Sequence, residues 1–373
     1  MKTNNPFITI GYQGPEYFCD RETETKKILD YLENGWNITL SSPRRMGKTG
    51  LIHHVFRRLK ELGEKKACIY TDIYSTINLN DFVSLFSKSV FSSLGTPTAK
   101  LVKRLTTLFR SCRPFLTVDP NNGMPEIRLD FAPAQAEQAL QEIFDFLKTI
   151  ETDCYIAIDE FQQVSEYPEK NVEALLRTHI QNLANVRFIF AGSKSHLIEE
   201  MFLTAKRPFY QSTRMVSLDV IPTQSYFEFA KRFFDDIRVL LPVSEFENLY
   251  NMVDGHTWYV QSILNQLYMD RPKNIDGNSV MRALNAIVEE NNYTYQRFFS
   301  MLTGNQRMML RAVAKERIVA QPTSSQFLTR YGLKAGSSVM RSINSLLENE
   351  YIYKDQRGIM VYDRFFGIWL AQL

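Results

Sequence analysis

The run Ser42-Pro43-Arg44-Arg45-Met46-Gly47-Lys48-Thr49 constrains this chain more than any other stretch. A short apolar segment with Ile38 and Leu40 precedes it. Leu51, Ile52, Val55, Phe56, Leu59 and Leu62 follow at helical spacing, and Gly63 is the expected stop. Strand, glycine-bearing turn and helix in that order are the setting of a phosphate-binding loop, in which successive backbone N–H groups curl around phosphates. Residues Pro43, Arg44, Arg45, Met46, Gly47, Lys48, Thr49 and Gly50 are the expected cradle. Lys48 would reach the β- and γ-phosphates as a point charge and Thr49 would offer its hydroxyl to Mg²⁺, while the helix N-terminus adds free amides and a dipole. The usual pattern is G-x-x-x-x-G-K-[ST]. Here Ser42 stands at the first glycine, where it tolerates fewer backbone conformations, and Gly47 keeps the position at which backbone crowding is expected to be worst.

A second segment gives the loop a partner. Tyr155-Ile156-Ala157-Ile158-Asp159-Glu160 is an apolar run ending in two carboxylates, and Asp159 comes 111 residues after Lys48. Such a run reads as a buried parallel strand whose carboxyl end points into a site. Asp159 would hold Mg²⁺ through water, and Glu160 would orient and deprotonate an attacking water. Hydrolysis of a phosphoanhydride needs little else, because positioning and charge neutralisation do most of the chemistry.

Composition narrows the setting. A chain of 373 residues has room for two or three domains. No apolar run approaches the length of a membrane span, and Met1 to Ile10 lacks the pattern of a signal peptide, so a cytoplasmic protein without membrane contact is expected. Cys19, Cys68, Cys112 and Cys154 are too scattered for a disulfide or zinc framework and read as reduced core residues. His53 and His54 are adjacent on a helix and cannot share a face, so no metal site is suggested there.

Periodicity predicts a helix over 21–32, strands over 38–40 and 67–73, and helices over 81–91 and 100–113. The last carries Lys100, Lys103, Arg104, Arg110 and Arg113, read as a solvated basic face. Segments 115–119 and 126–131 flank Pro120-Asn121-Asn122-Gly123 as a hairpin. A helix over 135–149, the Asp159-Glu160 strand, a helix over 172–183 and strands over 186–191 and 215–220 complete an alternating pattern, which argues a parallel sheet covered on both faces. Helices alone follow over 224–234, 244–253, 258–268 and 279–299. Three more (305–314, 324–331, 336–350) then lead into a hairpin at 351–354 and 359–362, the pattern of a winged helix. The expected domains are therefore a nucleotide-binding core over 1–221, a helical lid over 222–302 and a winged helix over 303–373.

These residues resemble the archaeal-type ATPases of the STAND clade, within the AAA+ P-loop superfamily. The resemblance is carried by Pro43-Arg44-Arg45-x-Gly47-Lys48-Thr49, Phe18-x-x-Arg21-Glu22-x-Glu24, Asp159-Glu160, Ala191-Gly192-Ser193, Asp254-Gly255-His256 and Asp363-Arg364-Phe365-Phe366. It implies ATP as the nucleotide and a sheet order of 5-1-4-3-2. It also implies a polar sensor between the attacking water and the γ-phosphate, for which Ser193 is the match. Relatives touch the nucleotide from the lid with a Gly-x-Pro turn; Gly255-His256-Thr257 lacks the proline, which leaves His256 as the candidate lid contact. Some relatives take an arginine finger from a neighbouring subunit, which makes a homo-oligomer a candidate assembly and puts Arg207 and Arg214 in the corresponding region.

The leading expectation is a slow, Mg²⁺-dependent ATPase that works as a nucleotide-driven switch, with Lys48, Glu160 and Ser193 catalytic and Thr49 and Asp159 at the metal. The winged helix would report the state to a protein partner or pack over the nucleotide. The alternative is a nucleotide-sensing DNA-binding regulator that reads through the 336–350 helix, with Lys334 and Arg341 near the groove. From Lys273 onward the chain has 13 Lys and Arg against 8 Asp and Glu, yet that helix ends on Glu348 and Glu350, and phosphate contacts dominate DNA affinity. A third reading, ATP as a structural ligand of a dead site, sits poorly with the presence of both Lys48 and Glu160.

Overall fold

The computed structural model describes residues 5–61, 66–95, 98–120, 123–333 and 336–373. Gly63, Asn121, Asn122 and Lys334 lie outside the described residues, as do the side chains of Lys100 and Arg104. The chain divides into two compact units, Gly11–Val220 and Met1–Ile10 with Ile221–Leu373.

The first unit holds strands β1 (Ile38–Ser41), β2 (Ala67–Asp72), β3 (Arg113–Val118), β4 (Pro125–Asp130), β5 (Cys154–Asp159), β6 (Val186–Gly192) and β7 (Arg214–Ser217). Five of them form one parallel sheet in the order β2-β5-β6-β1-β7. Counted among those five alone this is 5-1-4-3-2, as the resemblance implied. Every residue of β1, β5 and β6 but one is buried, which is why these segments read as continuous apolar runs and not as alternating ones.

Alternation still decides which layer each residue joins. Tyr155, Ala157, Ile189 and Ala191 pack under α1 (Glu22–Glu33) and α2 (Lys48–Glu61), with Ile28, Leu51, Val55 and Leu59. Ile156, Ile158, Phe188 and Phe190 face the opposite layer, where α3 (Leu79–Ser92), α5 (Ala136–Lys148), α6 (Val172–Ile180) and α7 (Ser195–Leu203) supply Phe86, Phe144, Leu176 and Met201. Asp159 continues the Tyr155-Ala157 parity, so the carboxylate emerges on the α2 side.

Between β2 and β5 the predicted 100–113 helix is shorter than expected, α4 running only from Ala99 to Leu108. The cause is non-local. Glu142 of α5 accepts hydrogen bonds from the amides of Arg110 and Ser111 at 2.9 and 2.8 Å and from the Ser111 hydroxyl at 2.7 Å, which pulls that segment out of helix and into β3. Strands β3 and β4 pair as the expected antiparallel hairpin. The fifth sheet strand is also shorter than expected, Arg214–Ser217 in place of 215–220.

In the second unit, α8 (Thr223–Asp236), α9 (Val243–Met252), α10 (Thr257–Asp270) and α11 (Gly277–Glu290) form a helical bundle. Phe7 is buried there beside Phe234 and Tyr268, and Asn265 donates to its carbonyl at 2.7 Å. The expected single helix over 279–299 is two. α11 ends at Asn291, whose side chain turns back to the Ile287 carbonyl at 2.8 Å, and α12 (Asn292–Ser300) starts afresh. Then α13 (Gly304–Glu316), α14 (Ser325–Arg330), α15 (Gly336–Glu348) and the hairpin β8 (Ile352–Lys354)/β9 (Ile359–Val361) build the winged helix. Val319 bridges to Ile359 as a third wing segment. Gly358 permits this approach: its φ is +145°, and a Cβ there would lie 2.5 Å from the Val319 carbonyl oxygen. A last helix, α16 (Arg364–Ala371), was not expected. Asp363 caps it by accepting from the Phe366 amide at 3.0 Å, and Phe365, Phe366 and Trp369 are buried.

Candidate functional site

The carboxyl ends of β1, β5 and β6 converge, because the parallel register sets Ser41 beside Gly192 and Asp72 beside Asp159. The loop that leaves β1 turns on two left-handed residues, Arg45 (φ +65°) and Gly47 (φ +92°). Ser42 is not among the positive-φ residues, so the first glycine of the usual pattern is not needed here. At Gly47 the reason for glycine also differs from the expectation. Among the described residues no protein atom beyond its chain neighbours lies within 4 Å of where its Cβ would be, so the constraint is φ and not crowding. Arg21, itself left-handed and buried, braces the loop from outside by donating to the Met46 carbonyl at 3.3 Å, and it pairs with Glu24 at 2.8 Å.

Lys48 opens α2 and is buried under the loop, where its ammonium donates to the carbonyls of Ser42 at 2.9 Å and Pro43 at 3.1 Å. Burial lowers its pKa to about 8. The nearby Asp159 and Glu160 oppose that shift, and Arg44 adds to it.

The Thr49 hydroxyl donates to Asp159 Oδ2 at 2.7 Å. The Tyr70 hydroxyl donates to the same oxygen at 2.9 Å, and Asp159 Oδ1 accepts the Glu160 amide at 3.0 Å. A hydroxyl and a carboxylate this close are hard oxygen donors, the set a small divalent cation takes when phosphates supply the remaining ligands. Among the described residues no cluster of three or more His, Cys, Asp and Glu could hold a metal without such phosphates.

Glu160 adopts a left-handed backbone (φ +57°). The next residue, Phe161, is wholly buried, its ring centre 4.6 Å from that of Phe190 and 5.3 Å from that of Phe209. Glu160 Oε2 accepts the Ser193 hydroxyl at 2.7 Å and the Gln162 amide. Arg44 Nε in turn donates to Ser193 Oγ at 3.2 Å. The expected residues Lys48, Thr49, Asp159, Glu160 and Ser193 are thus brought together. Tyr70, Gln162 and the Arg44 side chain were missed.

Two family models match the sequence. One, described as an ATPase domain predominantly from Archaea, covers residues 18–263. The chain belongs to that ATPase family. The other, described as "Probable winged helix domain", covers residues 293–372. No protein of curated function matches the sequence. Among solved structures, the Walker-type ATPase of Pyrococcus abyssi is similar at 18% identity and TM-score 0.67, over 98% of this chain and 99% of that one. The Aeropyrum pernix ORC2 protein, in ADPNP–ADP complexes, is similar at 14% identity and TM-score 0.59, over 100% and 98%. At these identities they share the fold.

Arg207 pairs with Glu173 at 3.1 Å and Glu200 at 3.7 Å. The Arg214 guanidinium lies 4.0 Å from the centre of the Trp36 ring. His256 precedes α10, its ring 5.0 Å from that of Tyr259. The turn before it requires glycine, since Gly255 has φ +66° and a Cβ there would lie 2.3 Å from the Tyr250 ring. None of the four cysteines is in a disulfide, and burial pushes the thiols of Cys68 and Cys154 up to about 11 and about 12. No helix among the described residues is long and apolar enough to cross a membrane.

Proposed function

We propose that this protein is a Mg²⁺-dependent ATPase of the STAND clade whose nucleotide state works as a switch. One observation carries the reading: the loop lysine, the Thr49–Asp159 pair and the Arg44–Ser193–Glu160 chain all meet at the carboxyl ends of three adjacent strands. Pro43 to Gly50 cradle the phosphates, and Lys48 exchanges the Ser42 and Pro43 carbonyls for phosphate oxygens. Thr49 and Asp159 hold the cation, which when bound neutralises charge on the phosphates. Glu160 accepts a proton from water as the water oxygen bonds to the γ-phosphorus and the bond to the β-bridging oxygen breaks. ADP and phosphate are the products. Ser193 keeps Glu160 in line. The ADPNP–ADP complexes of the ORC2 relative favour ATP as the nucleotide.

The helices over 222–302 serve as a lid, with His256 at its turn, and 303–373 as a reporter. We favour a protein partner over DNA for the reporter. The exposed face of α15 carries Met340, Arg341, Asn344 and Glu348, a single cation beside an acid. A homo-oligomer in which Arg207 or Arg214 reaches a neighbour remains a proposal of the family resemblance, as does residence in the cytoplasm.

Two variants test the reading. Lys48→Ala should abolish calorimetric binding of Mg·ATP. Glu160→Gln should keep binding and stop phosphate release. Unchanged turnover in Glu160→Gln removes Glu160 as the base.

A further inference from the structure

Two arginines mark the phosphate loop, and nothing in the nucleotide-binding reading requires their side chains, since the cradle is built from backbone amides. The positions of the two differ. Arg45 takes the left-handed turn and is exposed. Arg44 is half-buried, and its Nε donates to Ser193 Oγ, 3.2 Å away at the end of β6. Ser193 passes that contact on to Glu160 at 2.7 Å. The Arg44 guanidinium also lies 6.0 Å from the centre of the Tyr74 ring. The loop therefore sends one cation, Lys48, inward beneath the phosphates and a second, Arg44, across to the residues assigned to the attacking water.

We infer that Arg44 is an arginine finger supplied in cis: its guanidinium stabilises the charge that develops on the γ-phosphoryl group and, through Ser193, positions Glu160. The inference rests on the ATPase reading above. Three physical points favour it. Charge in phosphoryl transfer spreads over the equatorial oxygens, and a planar guanidinium can serve two of them at once. A guanidinium is also more weakly hydrated than an ammonium, so it loses less on entering a site closed over phosphates. The other two arginines considered for this role have partners within the same unit, Glu173 and Glu200 for Arg207 and the Trp36 ring for Arg214.

The test uses the full-length protein and the variants Arg44→Ala and Arg44→Lys, each first checked for an unchanged thermal transition. Arginine fingers are worth about 10³–10⁵ in turnover. Arg44→Ala should therefore lower kcat at least about a hundredfold while the calorimetric affinity for Mg·ATP stays within about threefold, since a group acting only in the transition state leaves ground-state binding alone. Aluminium fluoride should trap ADP on the wild type and fail to trap it on Arg44→Ala. Added guanidinium should restore part of the lost turnover, and Arg44→Lys should fall in between. Wild-type turnover per chain should not change on dilution. Retention of turnover within about threefold in Arg44→Ala overturns the inference, as does an ATP affinity that falls in step with kcat, the mark of a mere strut. A wild type that binds no Mg·ATP sinks the parent reading as well. A wild type that hydrolyses ATP with Arg44→Ala unimpaired sinks this inference alone.

Discussion

Tyr70 donates its hydroxyl hydrogen to Asp159 Oδ2 at 2.9 Å, the oxygen that also accepts Thr49 at 2.7 Å. Tyr70 is two residues from the end of β2, opposite Ala157, and its ring lies 4.7 Å from that of His53. Burial first, and then the Asp159 carboxylate, push its pKa well above the ordinary tyrosine value, so it stays a neutral donor at every working pH. A second donor on the metal-side carboxylate fixes its orientation, and outer partners of this kind are worth about 10–100-fold in metal affinity. Tyr70→Phe should therefore raise the Mg²⁺ concentration that half-tightens ATP binding by about tenfold, with metal-free ATP affinity unchanged. An unshifted Mg²⁺ titration would reduce Tyr70 to a packing role.

Lys48 predicts a pH dependence of nucleotide binding. With its pKa lowered to about 8, it loses its proton in the free protein as pH rises through that value. Adjacent phosphates favour the charged form, so above pH 8 ATP must bring a proton with it. Affinity should be flat below about pH 7 and weaken by up to about tenfold per unit above pH 8. Calorimetry at pH 8.5 in buffers of different ionisation enthalpy should show net proton uptake, and proton release would contradict the assignment. The sign for the nucleotide-free fold is opposite. Between about 8 and the ordinary lysine value of 10.5, the unfolded chain binds more protons at this group, so Lys48 makes the free fold more stable as pH rises across that window.

Gly192 ends β6 directly before Ser193, and a Cβ there would sit 2.3 Å from both Gln162 Oε1 and Ile198 Cγ1. Gln162 is one of the two side chains that hold Glu160, so an added methyl displaces the amide as well as crowding α7. Gly192→Ala should cost about 1–3 kcal/mol of stability by denaturant unfolding. At a temperature where the variant remains folded, turnover should fall more than ATP affinity. Equal losses in both would mean that the methyl disturbs the loop and not the base.

The parts of the site built on strand ends were legible in the sequence. Ile38 to Leu40 and Tyr155 to Ile158 are continuous apolar runs, and the groups that follow them can only emerge at the sheet's carboxyl edge. Tyr70 was not legible, because its nearness to Asp159 comes from the β2–β5 register, which no local pattern carries. Arg44 and Ser193 are likewise joined across 149 residues. The helix errors have the same root. Glu142 shortens α4 from more than thirty residues away, and Asn291 breaks the 279–299 run although its apolar spacing continues through Tyr295. Where periodicity and a long-range polar contact disagreed, the contact prevailed.

Asp254 accepts a hydrogen bond from Arg317 at 3.2 Å and forms an ion pair with Arg364 Nε, 3.1 Å away, tying the turn before α10 to the winged helix within one unit. The two pairs should not be equal. Arg317 is 57% exposed, so its gain is offset by solvent screening and side-chain entropy, and Arg317→Gln should cost no more than about 0.5 kcal/mol. Arg364 is 10% exposed and also donates to the Val361 carbonyl at 2.8 Å. Arg364→Gln should therefore cost about 1–3 kcal/mol, because it leaves a buried acceptor unpaired and removes packing against Tyr353. Urea unfolding of the two variants and of Asp254→Asn reads the difference as a shift in midpoint. A double-mutant cycle should give Arg364 the larger coupling to Asp254. Equal shifts would show that Asp254 serves the α10 turn alone, with no special tie to the winged helix.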